Sequence, residues 1–215
     1  MRNKLIKIVG AAAVAVALVS TAQATLISGN IGFSGNVTLD TATAQTATIV
    51  TGWSDTGGGA NHELVTSGTG TLSGSTGLVP ITSEVTFNSP WTFDSGGSGT
   101  APNPLWTFIN GSGVTTSFNL QIWTTQLSFN ALTGKWSDTI GGLGLMHTSA
   151  TGYTDTQYDF SVTLQDPASN PGLQQFTFSA SQAPVPPVVP DGGMTVMLLG
   201  AALSGLGLLR RKLIA

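Results

Sequence analysis

The chain has 215 residues, a formal net charge of −3 and no cysteine, which excludes disulfides, thiol catalysis and cysteine-ligated zinc. The net value hides a partition. Six of the seven basic residues lie in the two terminal segments, and between residues 25 and 189 Lys135 is the sole cation against nine acids, a body charge of −8. Such a body cannot neutralise a row of phosphates, so nucleic acid is excluded as a partner and anionic lipid headgroups are disfavoured.

At the N-terminus Arg2, Lys4 and Lys7 precede a 12-residue apolar run, residues 8–19, and then Ala22-Gln23-Ala24. Cations, apolar helix and a small-x-small cleavage site predict a secretory signal peptide over residues 1–24, cut between Ala24 and Thr25. The chain is thus expected to be exported.

Residues 25–182 are long enough for one domain with a real core. Apolar and polar residues alternate along much of this body. Ile27, Ile31, Phe33, Val37 and Leu39 interleave with Ser28, Asn30, Ser34, Asn36 and Thr38. Weaker strands are predicted over 47–53 and 64–72. Ile81, Val85 and Phe87 then alternate with Thr82, Glu84 and Thr86, and a further strand is predicted over 105–109. Val114, Phe118, Leu120 and Ile122 are predicted to share a face, followed by short strands over 127–132 and 143–147. Tyr158, Phe160, Val162 and Leu164, then Phe176, Phe178 and Ala180, complete the series. A period of two marks half-buried antiparallel strands.

Turns are predicted at Gly57-Gly58-Gly59, over 95–104, at Asn110-Gly111, at Thr133-Gly134 and over 166–172. Roughly ten short strands between such turns predict an all-β fold, a single antiparallel β-sandwich of jelly-roll or lectin-like type.

Residues 183–189 are proline-rich and predict an extended spacer. At its end begins the motif Val189-Pro190-Asp191-Gly192-Gly193, followed by an uncharged stretch over 194–209 and Arg210-Arg211-Lys212. The stretch predicts a transmembrane helix of roughly 24 Å at about 1.5 Å per residue, which crosses a bilayer core only with help from the two glycines and a snorkelling Arg210. The basic cluster predicts a cytoplasmic stop.

Motif, apolar helix and basic tail together resemble the sorting signals of the PEP-CTERM class, in the variant with a Val-Pro-Asp-Ser/Gly-Gly head. The resemblance covers about the last 27 residues. It implies that a membrane-embedded, exosortase-like processing enzyme recognises Val189, Pro190, Asp191, Gly192 and Gly193 and cuts near them. Arg210, Arg211 and Lys212 would hold the tail at the cytoplasmic face. The protein would be anchored transiently in the inner membrane and then pass to the cell surface or the extracellular space. The Gly192-Gly193 pair also fits a tail processed by a rhomboid-like protease, and a plain single-pass anchor is the third alternative.

Catalytic material is scarce. The chain has two histidines, His62 and His147, and no Gly-x-Ser-x-Gly, His-Glu-x-x-His or phosphate-loop motif, so no enzyme activity and no cofactor is expected. Asp55, Glu63, Asp94 and Asp138 are the candidate carboxylates for glycoside chemistry. Asp55, Asp138, Asp155 and Asp159 are candidates for calcium, without the spacing of a dedicated loop.

Five tryptophans, Trp53, Trp91, Trp106, Trp123 and Trp136, offer either core filling or flat faces for pyranose rings. Trp53 and Trp136 share a Trp-Ser-Asp-Thr context and are the candidate glycan contacts. The expected role is structural or adhesive in a polysaccharide matrix; the alternatives are a carbohydrate-binding module and, less favoured, a secreted glycan-active enzyme.

Overall fold

A ribbon with one dry face must cover it, and this chain does so by curling a single sheet onto itself. The computed structural model describes residues 24–55, 62–73, 77–93, 99–166, 174–184 and 200. The chain divides into two units, Met1–Ala183 and Pro184–Ala215, and every strand belongs to the first. The expected signal peptide up to residue 23 and the motif from Val189 to Gly193 lie outside the described residues. So do the apolar stretch apart from Gly200, and Arg210, Arg211 and Lys212. Among the described residues no helix is long and apolar enough to cross a membrane.

The strands are β1 (Thr25–Leu26), β2 (Asn30–Leu39), β3 (Ile49–Ser54), β4 (His62–Gly68), β5 (Glu84–Phe87) and β6 (Trp91–Thr92). They continue as β7 (Trp106–Ile109), β8 (Thr115–Asn130), β9 (Lys135–Thr148), β10 (Tyr153–Thr154), β11 (Thr156–Gln165) and β12 (Gln174–Gln182). Eight of them form a ring in the order β2, β4, β5, β7, β8, β9, β11, β12, with every neighbouring pair antiparallel.

β12 makes the closure. One edge pairs with β11 from Tyr158↔Gln182 to Gln165↔Gln175, and the other pairs with β2 from Asn30↔Ser181 to Val37↔Gln174. The all-β, antiparallel expectation is met, but the sandwich is corrected to a closed barrel. Alternation reports one dry face per strand; whether that face meets a second sheet or its own sheet is decided by pairing between chain ends.

β2 is also a branch point. On one edge it pairs with β4 through Ile31 to Phe33 and then with β3 through Asn36 to Leu39, and β6 extends β3. The N-terminal approach to β2 is tied to β11. The Ile27 amide donates to Thr156 Oγ1 at 2.9 Å, and the Tyr158 hydroxyl donates to the Ile27 carbonyl at 3.0 Å.

The interior is a stack of aromatic rings. Phe178 of β12 lies 5.4 Å from Phe33, 6.1 Å from Phe87, 6.4 Å from Trp106, 5.6 Å from Phe118 and 6.3 Å from Phe160. These partners come from five other strands. Mostly edge-on or tilted, such contacts add to the apolar burial of each ring.

β8 and β9 run longer than their sequence predicts. β8 is one continuous strand of 16 residues, and the register slips between Leu120 and Ile122, leaving Gln121 as an extra residue. That bulge inverts the phase of everything after it. Ile122, expected inside, is 57% exposed, and Trp123 is 5% exposed in its place. Ile81 is likewise exposed, because β5 starts only at Glu84 after a turn in which Thr82 has φ 68°.

β9 runs unbroken through Gly141-Gly142 and Gly144. A Cβ on Gly142 would collide with the Ile122 carbonyl and the Trp123 backbone, and one on Gly144 would collide with the Phe118 ring. Gly141 faces the other way, with the Phe160 carbonyl 3.5 Å from the position of a Cβ. Adjacent glycines therefore predict opposite results in denaturant titration. Gly142→Ala should lower unfolding stability by about 1–3 kcal/mol through overpacking, whereas Gly141→Ala should leave it unchanged or slightly raised. Equal effects would contradict the bulge geometry.

Candidate functional site

One end of the barrel carries a cavity built by a tethered loop and a projecting hairpin. Residues 40–48 join β2 to β3. Asp40 Oδ1 accepts from the Thr48 and Ile49 amides at 3.0 and 3.1 Å, and its Oδ2 accepts from the Thr48 hydroxyl at 2.8 Å. Asp166, just past β11, accepts from the Ala44 amide at 2.7 Å and the Trp136 amide at 3.3 Å. Gln174 donates to the Ala42 carbonyl at 3.0 Å. Two carboxylates and an amide thus pin the loop against the starts of β9 and β12.

The hairpin of β8 and β9 turns at Asn130, whose Oδ1 accepts from the Leu132 and Thr133 amides at 3.0 and 3.3 Å, and at Gly134, with φ 66°. Leu127 pairs with Asp138 and Phe129 with Trp136, so these four side chains share one face. The Phe129 and Trp136 rings lie 4.8 Å apart, tilted by 44°. Phe129 is 51% exposed and Trp136 half-buried.

Between hairpin and loop lies a cavity of about 240 Å³ lined by Gln45, Thr46, Ala47, Thr48, Phe93, Thr125, Leu127 and Asp138. Asp138 is 6% exposed, and its Oδ1 has no hydrogen-bond partner among the described residues. Burial holds its carboxyl above the usual range, outweighing the backbone N–H groups of Gln126 and Thr139 that favour the carboxylate.

A second buried acid stands on the opposite wall, four strands away in either direction around the ring. Glu63 of β4 points inward in phase with Val65, is fully buried, and neither carboxyl oxygen has a hydrogen-bond partner among the described residues. Its space exists because Gly35 has no side chain: a Cβ there would collide with Glu63 Oε2. Burial, reinforced by the negative charge of Asp55, pushes the Glu63 carboxyl up to about 8. The sequence predicts a strand only from residue 64, which leaves Glu63 in the turn before it; the strand in fact starts at His62, and the phase shared with Val65 and the Glu63↔Val85 pairing turn the acid inward.

The predicted site residues separate. Trp136 is in the candidate site. Trp53 is 3% exposed, packed 4.7 Å from Phe176 and 4.8 Å from Phe87, with its indole N–H donating to the Asn88 carbonyl; it belongs to the core and presents no face to a ligand. Trp91, Trp106 and Trp123 are also buried. The two Trp-Ser-Asp-Thr copies therefore sit in unlike surroundings.

Ala24 and Thr25 are exposed at the edge of β1. His62 is exposed on β4, and Asp94 lies outside the described residues. His147 Nδ1 is 2.6 Å from Asp155 Oδ1, with both side chains about half exposed. Ser117 pairs with His147 across β8 and β9, yet no hydrogen bond joins its hydroxyl to the ring among the described residues. No group of three or more metal-ligating side chains occurs among the described residues.

No family model, no curated protein and no solved structure matches this chain.

Glu63 generates a pH prediction. A carboxyl whose folded pKa exceeds its unfolded value favours the folded chain while protonated, so its contribution is full below about 4.5 and is lost as pH rises towards about 8. Glu63→Gln should therefore raise the thermal midpoint at pH 8, by roughly 2–4 °C for each kcal/mol recovered, and change it little at pH 4. A wild-type minus variant difference that does not grow between pH 4.5 and 8 would contradict the buried, protonated Glu63.

Proposed function

We propose that this chain is an exported protein, handed by an exosortase-like membrane enzyme to the cell surface or the extracellular matrix. There its barrel serves a structural or adhesive role without catalysis. The observation that carries the reading is the partition of charge: cations gather at the two ends, while the β-strand body holds Lys135 against nine acids. Export machinery reads positive charge retained at the cytoplasmic side.

The barrel is suited to such surroundings. Its interior is largely aromatic and aliphatic, and the outward positions of β11 and β12 carry Gln, Asp, Ser and Thr, unlike the apolar outer band of a barrel that faces lipid. Closure also gives each of the eight ring strands a paired neighbour on both sides over part of its length, which shortens the edge on which copies could polymerise. A second reading, carbohydrate binding, is favoured by the Phe129–Trp136 pair, which puts two rings side by side on a partly open face.

Deleting Asp191-Gly192-Gly193 from the full chain tests the sorting half. The deletion is expected to leave an unprocessed form of higher mass in the membrane fraction, detected by immunoblot and mass spectrometry. The same mature mass and the same location as wild type would refute it.

A further inference from the structure

We propose that the cavity under the β2–β3 loop is a sugar-binding subsite, taking one neutral pyranose ring whose hydroxyl donates to Asp138, while the neighbouring ring of the same glycan stacks on Phe129 and Trp136. The inference rests on the carbohydrate-binding reading and narrows it to a place and a ligand class.

Four features converge. The cavity, about 240 Å³, is smaller than the roughly 300–1,000 Å³ of sites for drug-sized ligands and suits a single ring. Its lining mixes the apolar surfaces of Phe93, Leu127 and Ala47 with the hydroxyls of Thr46, Thr48 and Thr125. A pyranose offers the same mixture, C–H faces and hydroxyl edges. Asp138 supplies a buried oxygen that has no partner among the described residues, and leaving such an acceptor unpaired costs free energy that a hydroxyl donor would recover. Phe129 and Trp136 stand two residues along the strands from Leu127 and Asp138 on the same face. That offset of about 7 Å suits successive rings of one chain.

Charge decides the ligand class. The excess of acids over the one cation of the body, Lys135, repels uronate or sulfated sugars, so neutral hexose polymers are the fit.

The test uses the full chain against immobilised glucan, mannan, galactan and polyuronate, with Trp fluorescence titration of the matching disaccharides. At least one neutral glycan should bind and polyuronate should not. Asp138→Asn and Leu127→Trp should each weaken that binding roughly ten- to hundred-fold. Leu127 is partly exposed, so its replacement fills the cavity mouth without removing core contacts. Circular dichroism of both variants checks that the barrel persists.

If Phe129→Ala abolishes binding while Asp138→Asn and Leu127→Trp both bind as wild type, the subsite is wrong and the carbohydrate-binding reading survives. If polyuronate binds as well as the neutral glycans, the ligand class is wrong. If no neutral glycan binds the wild type, the subsite and the carbohydrate-binding reading both fall.

Discussion

Closing eight strands into a ring aims every inward side chain at one axis, and in this chain the Phe178 ring and its five aromatic neighbours occupy it. An eight-stranded barrel is just wide enough to be filled by side chains. Large rings fill it only where a neighbouring strand gives way. β9 yields at Gly142 and Gly144, beneath the Trp123 backbone and the Phe118 ring. Glycine weakens a strand taken alone, but here the strand has neighbours on both edges; the space at Gly144 is taken by the Phe118 ring and that at Gly142 by the close approach of the β8 backbone. The weakness of β9 as a local strand and the density of the barrel interior are two sides of one arrangement.

The same economy of space explains how two acids come to be buried in a protein with so few charges. Glu63 fits over Gly35, where β4 leaves β2 and β3 takes its place. It is enclosed and faces the charge of Asp55, so it keeps its proton at neutral pH and acts on stability. Asp138 lies instead at the end of the barrel beneath a loop pinned by Asp40 and Asp166, and a cavity opens beside it. Burial raises both carboxyls; the cavity beside Asp138 leaves room for another molecule. The projecting hairpin adds an aromatic pair to that room, and its tip, with Leu132 98% exposed, reaches past the ring into solvent.

Parts of this site were legible in the residues themselves. Trp136 and Asp138 stand out from the Trp-Ser-Asp-Thr context, and the turn chemistry of Asn130 to Gly134 marks the hairpin. Trp53 shares the context and has the opposite fate, because it faces Phe87 and Phe176 inside the barrel. Which face a tryptophan takes depends on strand phase and on what lies across the axis, and neither is written beside the residue. Ile122 shows the same limit in sharper form: one extra residue at Gln121 exchanges it with Trp123.

Sequence alone determined the local physics: the segregation of charge, the two-residue alternation of β2, β11 and β12, and the turns at Asn110 and Thr133-Gly134, where side-chain oxygens and glycine meet needs set within a few residues. Only the tertiary structure decided that the sheet closes, since closure joins Ile31 to Ala180 across most of the chain. It also decided that the phase of β8 flips midway and that, among the described acids, Glu63 and Asp138 are withdrawn from water. Alternation is a property of neighbours along the chain, whereas closure, register and burial belong to residues brought together from its two ends.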